Sequence, residues 1–183
     1  MLPNDYVNQV REGLARMEGD APLSVRAARA VFLSAEPAGD WAAHAVPERL
    51  SAPHIRVSFR VEWMDDRGRV RLTRCCFADY GPLPGRSLVH FRRGLAEDET
   101  TCLAFYGMLT GALVGGCPGL VCGADIDIAA LTDGESMRFC RRFSDALERL
   151  APGSASGAGI WDALPAREAG YLSARRGRLG REN

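Results

Sequence analysis

The chain has 183 residues, 46% of them hydrophobic and 25% charged, which suits one folded domain whose core needs no disulfide or metal staple. Its 23 basic residues are matched by 23 acidic ones, so no net field favours nucleic acid or an anionic membrane as partner. No apolar run reaches the ~18 residues of a membrane span, and the first residues lack the basic and then apolar start of a signal peptide, so the protein reads as cytoplasmic. Every basic residue is arginine. Arginine keeps its proton at any working pH, so the chain has no side chain for lysine-type base or Schiff-base chemistry. Six cysteines without framework spacing read as reduced thiols.

In chain order, Tyr6, Val10, Leu14 and Met17, then Val25, Ala28, Phe32 and Ala35, recur at helical spacing, predicting two helices in residues 1–50. From His54 the period becomes two. Ile55, Val57, Phe59, Val61 and Trp63 share one face, and Arg56, Ser58, Arg60 and Glu62 the other, as in a half-buried strand. Asp65 to Gly68 reads as a hairpin turn into a partner strand from Val70 to Phe77. Residues 81–85 read as a loop, Ser87 to Phe91 as a strand, and Glu97 to about Val114 as a helix opened by three acids. Leu120 to Cys122 is apolar enough for a buried strand. A helix capped by Thr132 or Asp133 runs to Leu150, with Met137, Cys140, Phe143, Leu147 and Leu150 as its stripe. Pro165 suits the first turn of a last helix reaching Arg176. Strands alternating with helices argue an α/β sheet domain.

Taken residue by residue, the chemistry is sparse. The glycines of 115–123 have neither the P-loop nor the dinucleotide spacing and read as a tight turn. Cys75 and Cys76 point to opposite faces of a strand, and no histidine is spaced to ligate a metal with Cys117 and Cys122. Asp125 and Asp127 share a face of an extended segment and read as a polar strand end rather than a cation site. Arg138, Arg141, Arg142 and Arg149 read as a solvated helix face.

Three stretches together resemble the glutamate dehydrogenase family. Residues 49–68, RLSAPHIRVSFRVEWMDDRG, are similar to the family's first strand and hairpin. Residues 136–150, SMRFCRRFSDALERL, resemble its "MRFCQ.FM.EL.R" helix, and residues 167–172, REAGYL, its "REIGYL" segment. The resemblance covers roughly residues 5–180 and implies the substrate-binding, oligomerising N-terminal domain of that family. The expected fold is a three-layer α/β/α domain with a mixed, largely parallel sheet, one domain over 1–183 with a helical segment at 1–50 and an α/β core at 51–183. The family's nucleotide-binding domain is expected to begin about where this sequence ends, so no cofactor is expected within it.

The same resemblance places the family's functional positions on neutral residues. The "GPxKGGxRxHP" loop matches Gly81 to His90, with Pro84 at the lysine, Leu88 at the arginine, and Arg86 as the nearest guanidinium that could still meet a carboxylate. The glutamine and second substrate lysine fall on Gly107 and Thr110. The catalytic lysine of "GGGKGG" falls on Val121 or Cys122, depending on a one-residue gap, and the aspartate of "PAGDIG" on Trp161, with Asp162 beside it. The resulting expectation is a non-catalytic domain without a metal that self-associates or joins an intact glutamate dehydrogenase. The alternatives are a module holding a small uncharged ligand in the old substrate cleft, or one half of a split NAD(P)-dependent dehydrogenase.

Overall fold

The computed structural model describes residues 52–81, 87–114 and 119–150, the helical positions 167, 168 and 170–172, and isolated helical positions at 12, 26, 27, 30, 31, 34 and 49. The regular elements are β1 (Ile55–Met64), β2 (Val70–Asp79), β3 (Ser87–Phe91), α1 (Glu97–Val114), β4 (Leu120–Ala124) and α2 (Asp133–Leu150), with a 3₁₀ turn at Ile128–Ala130. The four strands form one sheet in the order β1-β2-β4-β3.

Among the described strands the sheet is mixed, as expected, but not largely parallel. The tight turn makes β1 and β2 antiparallel, β4 runs antiparallel to β2, and only β3 and β4, joined through α1, are parallel. Antiparallel pairing at the turn is closed by the Asp65 N–H on the Arg69 carbonyl at 2.9 Å and the Gly68 N–H on the Asp65 carbonyl at 3.1 Å. Gly68, at φ +73°, supplies the left-handed residue that such a three-residue connection requires.

The alternation in β1 and β2 sorts side chains onto two faces, each covered by a helix. Under α2 lie Val61, Trp63, Cys75, Phe77, Val89, Cys122 and Ala124, against Phe139, Cys140, Phe143, Ala146 and Leu147. Under α1 lie Ala78, Tyr80 and Val121, against Cys102, Ala104 and Phe105. Ala27 joins this second core with Val31 at its margin, placing part of the helical N-terminal segment on the α1 side. Three layers result. Tyr6, Val10, Leu14 and Met17 of the first predicted helix, and Val25, Ala28, Phe32 and Ala35 of the second, lie outside the described residues.

Aromatic rings lock α2 down. Phe91 meets Phe143 at 5.0 Å and Phe139 at 5.3 Å between centroids, both edge to face, and Trp63 meets Phe139 at 6.1 Å. Such pairs contribute about 0.5–1.5 kcal/mol each beyond the area they bury. The α2 stripe is therefore centred on Phe139, Cys140, Phe143 and Leu147, while Leu150, expected at its end, is exposed.

The hairpin tip is tied to the start of α2. Thr132 and Glu135 form a reciprocal capping box: the Glu135 N–H donates to Thr132 Oγ1 and the Thr132 N–H to Glu135 Oε2, both at 3.2 Å. Glu135 Oε1 also accepts from the Asp66 N–H at 3.0 Å, and Asp66 takes Thr132 Oγ1 and the Arg138 guanidinium. Arg138, expected to be solvated, instead donates through Nε to the Met64 carbonyl at 2.7 Å. Asp65 is buried within the turn, and the Arg69 N–H, its guanidinium and the Arg67 N–H outweigh that burial and hold its carboxyl down to about 2.

Two outcomes follow from this packing. A Cβ on Gly123 would stand 2.5 Å from Leu95 Cδ2 and 2.7 Å from Thr100 Oγ1, so Gly123→Ala will cost about 1–3 kcal/mol in urea unfolding. Because the folded pKa of Asp65 lies below its unfolded value, its contribution is complete above about pH 4 and fades as pH falls toward 2. An acid titration of stability will therefore slope downward across that window, and Asp65→Asn will flatten the slope.

Candidate functional site

Strand β4 carries the position that the resemblance gives to a catalytic lysine. Val121 is fully buried between α1 and the sheet, directly opposite Leu88 in the parallel β3 register and Ala78 in the antiparallel β2 register. Its surroundings are Tyr80, Cys102, Ala104 and Phe105, all apolar apart from one phenol. Cys122 faces the other way, toward α2, beside Phe77 and Val89. Burial drives its thiol far up from the ordinary value, and burial raises Cys75 likewise and pushes Cys140 up to about 12. These thiols are packing groups rather than nucleophiles.

The structure thus brings Val121 and Leu88 together and leaves Cys122 on the opposite face. Thr110 is exposed on α1 and turns its Oγ1 back onto its own helix, donating toward the Tyr106 carbonyl at 2.7 Å and the Gly107 carbonyl at 3.2 Å. Pro84, Arg86, Trp161 and Asp162 lie outside the described residues. Asp125 is a clamp rather than a strand-end ornament: Oδ1 accepts the Gly94 N–H at 2.6 Å and Oδ2 the Arg74 guanidinium at 2.9 Å. Arg74 first, then Gly94, hold its carboxyl below the usual carboxylate range. Among the described residues no three of His, Cys, Asp and Glu converge to hold a metal ion, and no helix is long and apolar enough to cross a membrane.

Two clefts open away from these positions. One, of about 430 Å³, lies between β1, β2 and the start of α1 and is edged by Ser58, Arg60, Arg74 and Glu97. The other, of about 460 Å³, lies between the hairpin tip and α2, beside Met64, Val70, Arg141 and Arg142. Reading side chains one at a time missed the first, although the hairpin register, once the turn is fixed, sets Arg60 opposite Arg74.

No family model matches the chain. The NAD-specific glutamate dehydrogenase of Clostridium symbiosum is 31% identical over 180 residues, 91% of this chain and 39% of that protein. The crystal structure of Plasmodium falciparum glutamate dehydrogenase superposes with a TM-score of 0.74 at 23% identity, over 98% of this chain and 39% of the other. The chain is a glutamate dehydrogenase-family domain. The fold also matches a hetero-hexameric glutamate dehydrogenase of Thermus thermophilus in its Leu-bound form, with a TM-score of 0.60 at 17% identity, over 97% of this chain and 38% of the other. The chain spans no more than about two fifths of the length of the curated relatives it matches.

Within this glutamate dehydrogenase-family domain, Val121 sits where a charged amine would have no water and, among the described residues of its cluster, no counter-ion. Introducing a lysine there, Val121→Lys, will bury an unpaired ammonium and lower the melting temperature by well over ten degrees, or yield a folded state only at alkaline pH. A variant that melts with the parent at neutral pH would show that the position opens to solvent.

Proposed function

We propose that the domain is a non-catalytic assembly unit of the glutamate dehydrogenase family, which pairs with a copy of itself or joins an intact dehydrogenase as a regulatory subunit. The observation that carries this reading is the apolar closure around Val121. A charge-stabilising group in a reaction centre is worth about 3 kcal/mol or more to the transition state, and a valine wedged between Tyr80, Ala78 and Phe105 supplies none.

Assembly is supported by strand β1, which pairs with β2 on one side and with no other described strand on the other. The Asp65–Arg69 bond sets the phase of the ladder. Odd-numbered residues of β1 turn their backbone groups to β2, and Arg56, Ser58, Arg60, Glu62 and Met64 turn theirs to the open edge. Arg138 occupies the Met64 carbonyl, and the remaining edge groups are a template for a second strand. Near the tip Met64, Val70 and Leu72 share one face, exposed by 50%, 66% and 60%, a contiguous apolar surface of the kind that marks contacts. One solved relative of this fold is hetero-hexameric, so unlike chains assemble together in that protein.

Light scattering on a sizing column tests the reading. The chain alone, or mixed with an intact glutamate dehydrogenase from the same source, will elute at a defined multiple of its 19.8 kDa mass or in the enzyme's peak. Glu62→Pro, which deletes an edge-facing N–H without touching the β2 ladder, will shift it toward monomer. A parent chain that runs as a monomer and ignores the enzyme contradicts the proposal.

A further inference from the structure

We propose that the cleft between β1, β2 and the start of α1 binds a small oxyanion, a carboxylate or a phosphate, held by Arg60 together with Arg74. Arg60 and Arg74 are directly opposed across the antiparallel pair, on the face away from α2. Like charges so placed repel, and an unrelieved pair is disfavoured in a strand ladder. The two carboxylates nearby do not relieve it fully. Glu97 is taken by the Arg56 guanidinium at 3.0 Å and by the Ser58 hydroxyl, and Asp125 by Arg74 and the Gly94 N–H. Each acid has its arginine, and Arg60 is left with no ion pair or hydrogen bond among the described residues. The lining of the cleft itself carries two arginines, Arg60 and Arg74, to one carboxylate, Glu97, one positive charge in excess around a space of about 430 Å³.

That volume suits a small ligand and is too large for a single water or a halide alone. Guanidinium groups present planar forks of N–H donors that match the oxygens of carboxylate and phosphate, so an oxyanion bridging Arg60 and Arg74 meets both charges at once. The start of α1 lies beside the cleft but adds little, since Glu97, Asp98 and Glu99 already offset its positive end. The floor is Leu95 and the buried Cys76, whose sulfur is engaged with Thr100 Oγ1 at 2.9 Å, so polar recognition is confined to the rim. The cleft stands on the face of the sheet, and a partner strand added at the β1 edge extends the sheet in its plane, leaving that face open. This inference is independent of the assembly proposal and does not involve Val121.

The test is calorimetric titration of the full chain, in low-salt buffer, with inorganic phosphate and separately with malonate. Saturable binding of one equivalent is expected for at least one of them, weakening as sodium chloride is added. Phosphate alone would identify a phosphoryl ligand and malonate alone a carboxylate. Arg60→Gln will weaken that binding tenfold or more, and Arg149→Ala, on the exposed last turn of α2, will leave it unchanged. Because Arg60 has no partner to lose among the described residues, Arg60→Gln will keep the urea midpoint of the parent, so loss of binding cannot be ascribed to unfolding. Failure of both anions to saturate the protein, or equal affinity in Arg60→Gln, overturns the proposal, whatever the oligomeric state.

Discussion

Strand β4 is buried on both faces and, with the adjoining end of β2, lies between the two helices. Val121 and Gly123 lie under α1, and Cys122 and Ala124 under α2, so this five-residue strand is the middle of a three-layer sandwich. Its closeness to α1 is set at Gly123, where Leu95, Thr100 and Cys76 crowd into the room that a side chain would need. A strand so enclosed must be apolar on both faces, because an ammonium there would lose its hydration and find no partner. The enclosure that packs the two helices onto the sheet thus also leaves no room for charge at Val121 or Cys122, the two residues on which the resemblance would place a lysine.

Around this dry centre the polar interactions act as fasteners. The Thr132–Glu135 capping box and Asp66 with Arg138 lie at the rim, where ion pairs are screened by solvent, while Asp65 with Arg69 and Arg71 closes the turn itself. Their effect is geometric: they fix the hairpin tip against the first turn of α2. Asp125 does the same at the other side of the sheet, joining β2 to the Gly94 turn before α1. The aromatic contacts of Phe91, Phe139 and Phe143 then hold the layers that these fasteners align.

Much of this was legible in the sequence, for physical reasons. The period-two run from Ile55 to Trp63, the Asp-Asp-Arg-Gly turn and the acid-opened helix from Glu97 each depend on local rules and are found where expected. Neutral residues at Val121 and Leu88 were also readable, and the register sets the two directly opposite each other across β3 and β4. Sheet direction was not legible, since the partner of β4 is decided by long-range packing that periodicity does not encode. Arg138 was misjudged for a related reason: a helix surface position looks solvated until a hairpin from 74 residues away brings a carbonyl to it. Leu150 was misjudged in the opposite sense, because the helical stripe runs past the edge of the sheet before the helix ends.

The account turns on whether β4 is a closed core or the wall of an accessible cleft, and amide hydrogen exchange resolved by residue distinguishes the two. The N–H groups of Val121, Cys122 and Gly123 should exchange only through global unfolding, at rates that track stability in denaturant, while edge-facing amides such as that of Glu62 exchange far faster in the monomer. Exchange at Val121 as fast as at Glu62 would mean that water reaches the strand in the native state, and the reading of this domain as a catalytically silent scaffold would fall.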